Sequence, residues 1–263
     1  MESNEPIITI RNLKQSYDKK NLVLQGIDLD IYPGQIIGYI GPNGAGKTTT
    51  VKILTGMLGD FTGDVTVLGY DMASNPIEVK KKIGYIPENI ALYDTLTPIE
   101  YLNFIGQLYK MEEKEIEKKA RGMLQILALS ENTDQRMTTF SKGMRQKVLI
   151  IAGMLHDPEI IFMDEPLTGL DANTTVTMKE ILAKLAKQGK TIFYCSHIMD
   201  VVERISDRIV IIDNGQIIAD APFEELQALY KERGESLETI FTQLTGNTQH
   251  SVIADQFIEA FKN

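Results

Sequence analysis

Gly41-Pro42-Asn43-Gly44-Ala45-Gly46-Lys47-Thr48 decides how this chain is read. It fits the pattern G-x-x-x-x-G-K-[ST] without a mismatch. The residues before it, 35–40, are apolar and β-branched, and Thr49 to Leu58 have helical character, so the motif has the strand–loop–helix setting it requires. Glycines let backbone N–H groups turn inward and approach phosphate oxygens, while the positive end of the following helix faces the same anion. Lys47 can then reach the β- and γ-phosphates, and the Thr48 hydroxyl can ligate Mg²⁺. From average composition, chance supplies such a match in roughly one chain per hundred of this size. The segment is read as a nucleotide-binding loop.

The sequence on either side supplies a fold. Residues 7–11 and 22–31 alternate apolar and polar, as half-buried strands of an antiparallel sheet do, with Asp18-Lys19-Lys20-Asn21 as a polar turn between them. Val65 to Leu68 and Lys82 to Ile86 read as further strands. At Thr97-Pro98-Ile99-Glu100 a helix starts, with threonine as N-cap, proline in the first turn and glutamate as the capping-box acid. Its periodicity runs through Tyr101, Phe104, Ile105 and Leu108. The charge-rich run Glu112 to Arg121 is read as a solvated helix face, and a helix from about Ile116 to Ala128 follows. Residues from about 95 to 140 thus form a helical insert. Near-continuous apolar runs return at Ile160–Met163, Thr191–Cys195 and Arg208–Ile212, the pattern of parallel strands covered on both faces. A helix over Thr174–Gln188 separates two of them, and Asp213-Asn214-Gly215 signals a hairpin. The predicted fold is α/β: a P-loop NTPase core with a mainly parallel sheet, an antiparallel β edge subdomain and a helical insert subdomain.

Bulk composition narrows the function. With 263 residues the chain has ample core. A formal charge of −9 argues against nucleic acid as the main partner. The single cysteine, Cys195, cannot form an internal disulfide, which fits a reducing compartment, and its apolar setting makes it a small core residue. No run approaches the roughly 18–20 apolar residues that cross a bilayer, and Met1 to Pro6 is polar and acidic rather than a signal sequence. The expectation is a cytoplasmic chain that meets a membrane only through a partner.

Further chemistry lies downstream. Ile160-Ile161-Phe162-Met163-Asp164-Glu165 is an apolar strand ending in two carboxylates. One carboxylate at a strand tip can hold Mg²⁺, and a second can polarise the water that attacks a γ-phosphate. Buried strands often end in acids, so the pattern gains meaning from the phosphate loop upstream. Between the two lies Phe140-Ser141-Lys142-Gly143-Met144-Arg145-Gln146-Lys147. Here the sequence resembles the ATP-binding cassette family, whose signature is usually written LSGGQ. Ser141 and Gly143 keep that signature's hydroxyl and backbone donor; Phe140, Lys142 and Met144 depart from its commonest form. The variant resembles the exporter branch, in which cassette and membrane subunits are separate chains. Gly169-Leu170-Asp171 is similar to the family's dimer-contact loop, and Ser196-His197 to its switch histidine. Tyr17 stands where the family places an aromatic that stacks on adenine, a contact typically of about 1–3 kcal/mol. Ile86-Pro87-Glu88-Asn89 departs from the glutamine most cassettes carry; Glu88 is the candidate Mg²⁺ ligand there, with Asn89 as the alternative.

The resemblance spans residues 7–246 and implies an ATPase subunit working as a head-to-tail dimer, most simply a homodimer, on an integral membrane permease subunit. ATP would be held by Tyr17, Gly41, Pro42, Asn43, Gly44, Ala45, Gly46, Lys47, Thr48 and Thr49 of one copy, with Ser141, Gly143 and Asp171 contributed across the dimer. Mg²⁺ would be held by Thr48, Asp164 and Glu88. Glu165 would be the general base, with His197 at the γ-phosphate. The alternative, a soluble cassette ATPase acting on ribosomes or DNA, usually carries two cassettes, coiled-coil arms or metal-binding cysteines, none of which the sequence displays. Beyond the resemblance, residues 247–263 form a tail in which Ile253, Phe257 and Phe261 recur every four residues beside Ile258. This predicts an amphipathic helix, and Asp255 and Glu259 deny it the basic face that anionic lipid favours.

Overall fold

Strands that must be covered on both faces cannot alternate apolar with polar, and the central sheet of this protein obeys that constraint. A computed structural model describes residues 5–229 and 236–246, together with Phe257 and Phe261. Three strands come first: β1 (Ile8–Gln15), β2 (Leu24–Ile31) and β3 (Ile36–Ile40). The phosphate loop then leads into α1 (Lys47–Leu54), followed by β4 (Thr62–Val67), β5 (Tyr70–Asp71), α2 (Pro76–Lys80) and β6 (Ile83–Ile86). The insert holds α3 (Pro98–Leu108) and α4 (Glu113–Ile126), and the chain returns through α5 (Lys142–Met154). The remainder is β7 (Ile160–Asp164), α6 (Ala172–Lys187), β8 (Thr191–Cys195), α7 (Met199–Ile205), β9 (Arg208–Asp213), β10 (Gln216–Ala221), α8 (Phe223–Leu229) and α9 (Leu237–Leu244).

Two sheets result among the described residues. The larger has the order β10-β9-β3-β8-β7-β6, parallel throughout except for the antiparallel β9–β10 edge, and the smaller is antiparallel in the order β2-β1-β4-β5. Strands β3, β7 and β8 are buried at every residue. Their alternate side chains serve two different cores. Ile37, Tyr39, Phe162, Phe193, Val210 and Ile212 join α1 and the antiparallel sheet, while Ile36, Ile161, Met163, Ile192, Tyr194 and Ile211 join α5, α6 and the insert. Phe162 packs on Phe193 at a ring-centroid distance of 5.6 Å, and truncating such a phenylalanine to alanine typically costs about 3–5 kcal/mol. The α/β architecture with an antiparallel edge matches the expected one.

Local signals account for several boundaries. At α3, the Glu100 N–H donates to Thr97 Oγ1 (3.2 Å) and the Thr97 N–H to Glu100 Oε2 (2.8 Å), a complete capping box. The hairpin at Asp213 turns through Asn214 (φ 45°) and Gly215 (φ 75°), the two left-handed residues a type I′ turn requires. Other boundaries moved. Helix α4 begins at Glu113 rather than Ile116, because Glu115–Lys119 (2.7 Å) and Glu117–Arg121 (3.0 Å) bridge successive turns of its charged face. Its apolar stripe, Ile116, Ala120 and Leu124, marks the buried side alone. The strand expected at Val65–Leu68 starts earlier, at Thr62, and stops at Val67, since Leu68 turns left-handed at φ 54°. The expected tail helix over 251–263 lies outside the described residues apart from Phe257 and Phe261, both exposed. No helix among the described residues is long and apolar enough to cross a membrane.

Candidate functional site

The C-terminal ends of β3 and β7 deliver the phosphate loop and the two acids to one cleft of about 820 Å³. Gly41 has no room for a side chain, because a Cβ there would come within 2.3 Å of the Ile212 carbonyl oxygen on β9. Gly46 turns at φ 110°, in the left-handed region that glycine adopts readily, and hands the chain to α1 at Lys47. The amides of that first helical turn lack intrahelical partners and face the cleft mouth. Lys47 Nζ arches over the loop, donating to the carbonyls of Gly41 (2.6 Å) and Pro42 (3.1 Å). Ala45 is buried below, and its carbonyl accepts from Gly215 N–H at 3.0 Å, which ties the loop to the β9–β10 hairpin. Pro42, Asn43 and Gly44 form the outer lip. Tyr17 projects beside it with 61% of its surface exposed, its hydroxyl 3.2 Å from Thr49 Oγ1.

The acids stand opposite. Asp164 ends β7 almost fully buried, and the Thr48 hydroxyl donates to its Oδ2 at 3.1 Å. Burial pushes its carboxyl above the usual range, and the charges of Glu88 and Glu165 push the same way, while Thr48 and Lys47 oppose them. Glu165 leaves the strand at φ 50°. Its Oε1 accepts the His197 N–H (2.8 Å) and lies 2.7 Å from His197 Nδ1, and its Oε2 accepts the Ser196 hydroxyl (3.1 Å). With Nδ1 engaged, the other ring nitrogen of this exposed histidine is left for a ligand. Glu88 lines the cleft and Asn89 does not.

The site fits a hard divalent cation. Thr48 and Asp164 offer oxygen ligands, and among the described residues no cluster of three or more acidic, histidine or cysteine side chains forms an all-protein cage. Mg²⁺ is usually bound in that way, by one or two carboxylates plus substrate phosphates.

Ser141, Gly143 and Asp171 lie apart from the cleft lining. Ser141 caps α5, its hydroxyl accepting Met144 N–H at 3.2 Å. Gly143 sits so close to the following loop that a Cβ would meet the Gly169 carbonyl oxygen at 2.7 Å. Asp171 caps α6, accepting the Thr174 N–H (2.9 Å) and hydroxyl (2.6 Å), 3.5 Å from Lys147. The Thr174 bonds, aided by Lys147, hold its carboxyl down to about 2.

Sequence reasoning missed several neighbours of the site. Gln146 is buried and donates to the Pro166 carbonyl at 2.9 Å, joining the start of α5 to the loop after Glu165. Glu238, Phe241 and Thr242 of α9 form part of the cleft wall, beside Met199. Helix α9 reaches that position because Leu237 and Ile240 are buried and Leu237 N–H donates to Glu203 on α7 at 3.0 Å. Nothing in the local sequence of α9 points at the phosphate loop; its place follows from tertiary packing.

Residues 24–168 match the family model described as ABC transporter. The chain is 39% identical over 213 residues to the linearmycin resistance ATP-binding protein LnrL of Bacillus subtilis (strain 168), covering 81% of this chain and 68% of that protein. Among solved structures it is similar to an ATP-binding subunit of an ABC transporter, with a TM-score of 0.85 and 30% identity over 91% of this chain and 99% of that one. It also shares its fold with a dimeric ATP-binding cassette solved in a post-hydrolysis state with ADP and Pi (TM-score 0.76, 23% identity, 82% of this chain and 98% of that one).

Proposed function

This chain belongs to the ABC transporter family as an ATP-binding protein, and we propose that it hydrolyses ATP as a homodimer to drive an exporter whose membrane-spanning part is a separate chain. The observation that carries the reading is the convergence of Lys47, Thr48, Asp164, Glu165 and His197 on one cleft. The triphosphate lies along the loop, its charge met by Lys47, the loop amides and the start of α1. Thr48 and Asp164, with Glu88 beside them, would hold Mg²⁺, which when bound would supply neutralisation of the phosphate charge. Glu165 accepts a proton from the water that attacks the γ-phosphorus; the bond to the ADP oxygen breaks, releasing ADP and phosphate. His197 steadies the γ-phosphate by donating from Nε2–H, which with Nδ1–H on Glu165 requires the imidazolium form.

The placement of Ser141 and Gly143 outside their own chain's cleft supports sharing of each ATP between two copies. Binding then closes the pair, hydrolysis reopens it, and α3 and α4 carry the motion to the membrane subunit. Attachment to that subunit holds the protein at the inner face of the cell membrane. Export is supported by the signature variant and by the resistance role printed in LnrL's name.

Phosphate release by the purified chain, alone and with its co-purifying membrane subunit, is the test. Release that needs Mg²⁺ and stops with a chelator is expected. No release above the Glu165→Gln background in either setting would end the ATPase reading, and failure to capture any membrane protein would end the transport reading.

A further inference from the structure

Among the described residues lining the cleft, Glu165 is the only acid with a left-handed backbone; it lies one residue past the end of β7, and bonds at its carboxylate orient the side chain. On Oε1 the partners are the backbone N–H of His197 and the exposed His197 ring. On Oε2 the partner is Ser196, which is 1% exposed. The Ser196 oxygen also accepts the Ile198 N–H at 3.1 Å, which fixes its rotamer. A serine hydroxyl has one proton and two lone pairs. With the proton on Glu165 and one lone pair on Ile198, a single acceptor position is left.

Beneath it lies Tyr194. Residues two apart on a strand share a face, so Tyr194 stands on the same side of the chain as Ser196, opposite Cys195. Its hydroxyl oxygen is completely buried and without a hydrogen-bond partner. It lies close enough to Ser196 and Glu165 that both affect its ionisation, and burial keeps it protonated. A buried O–H without an acceptor is rare in folded proteins. Ser196 is near enough to affect this phenol, but the two hydroxyls do not meet hydrogen-bond geometry, so Tyr194 is a packing neighbour of Ser196 and not a link in its hydrogen bonds.

We propose that Ser196 is the positioning residue of the catalytic carboxylate: the buried Ser196–Glu165 relay fixes Oε2 so that Oε1 stays on the water side of the cleft. The inference rests on the reading of Glu165 as general base. The relay moves no proton during turnover; it removes the rotamers in which Glu165 swings away from the γ-phosphate. A displacement of about 1 Å in such a group can cost on the order of 100-fold in rate.

The test uses Ser196→Ala, Ser196→Thr, Tyr194→Phe and Glu165→Gln in the full chain with its membrane subunit. Ser196→Ala is expected to lower kcat by about 10- to 100-fold, leaving KM and affinity for a fluorescent ATP analogue as in the wild type. Ser196→Thr, which keeps the donor, restores most of the rate, and Tyr194→Phe, which removes a hydroxyl without a bond to Ser196, leaves kcat near the wild type. A crystal structure of Ser196→Ala shows the Glu165 carboxylate turned off the His197 N–H. In a Glu165→Gln background, Ser196→Ala has no further effect. Wild-type kcat in Ser196→Ala, an equal loss from the threonine variant, or the full loss repeated on top of Glu165→Gln would overturn the relay. Normal turnover by Glu165→Gln alone would overturn the general-base reading instead, and the crystal structure would still report on the relay separately.

Discussion

The nucleotide cleft and the Ser141–Asp171 edge are built from the same sheet yet organised in opposite ways. In the cleft, functional groups engage one another: Thr48 on Asp164, and both Ser196 and His197 on Glu165. At the other edge, Ser141 and Asp171 are occupied with capping their own helices and lie outside the cleft lining. Gln146 and the close passage of Gly143 over Gly169 join the two edges through the loop that leaves Glu165. One surface gathers its groups into a pocket and the other does not; in the proposed dimer a second copy would bring the two together.

The sharpest way to break this contrast is at the base. Glu165→Gln should lower turnover by about 100- to 10,000-fold, the usual worth of a positioned proton acceptor, with ATP still bound; near-wild-type phosphate release would remove Glu165 from that role. Lys47→Ala strikes the same edge through affinity. Losing a hydrogen bond to a charged group costs roughly 1.5–3 kcal/mol, so equilibrium titration should show ATP binding weakened by about 10- to 150-fold. An unchanged dissociation constant would contradict the phosphate-loop assignment.

The opposite edge should respond differently. Ser141→Arg is expected to leave ATP affinity of the isolated chain unaltered but to abolish ATP-driven dimers in the Glu165→Gln background. Sedimentation showing an undiminished dimer would sink the shared site. Asp171 gives the smallest effect. Its carboxyl, at about 2, lies below the ordinary aspartate value near 3.9, so the stability it lends α6 is complete above about pH 4 and fades as pH falls through 2. Asp171→Ala should therefore melt lower than the wild type at pH 7, and the two curves should converge near pH 2. A gap that persists in acid would assign the loss to something other than the ionised cap.

Much of the fold was legible because its signals are local. The phosphate loop, the Thr97 capping box and the Asn214-Gly215 turn each specify backbone geometry within a few residues. The order of strands in the central sheet was not, since apolar runs such as Ile160–Met163 and Thr191–Cys195 state that a strand is buried and leave its neighbours open. The cleft followed the same division. Tyr17, Lys47, Asp164 and His197 could be named from motifs, but the approach of α9 and the bond from Gln146 to Pro166 depend on tertiary packing. Ser196 was read only as the residue before a histidine, for its contact with Glu165 arises where β7 and β8 end side by side.

The alternation of the central strands between two cores gives the sequence a parity. Phe162 and Met163 are adjacent letters, yet the first belongs to the half that carries the phosphate loop and the second to the half that carries the insert. A substitution drifting in at one position loosens the core behind the phosphate loop; one position later it loosens the core beneath the insert. The two halves can therefore be tuned independently along a single stretch of gene, with the shared backbone ladder as their fixed fulcrum.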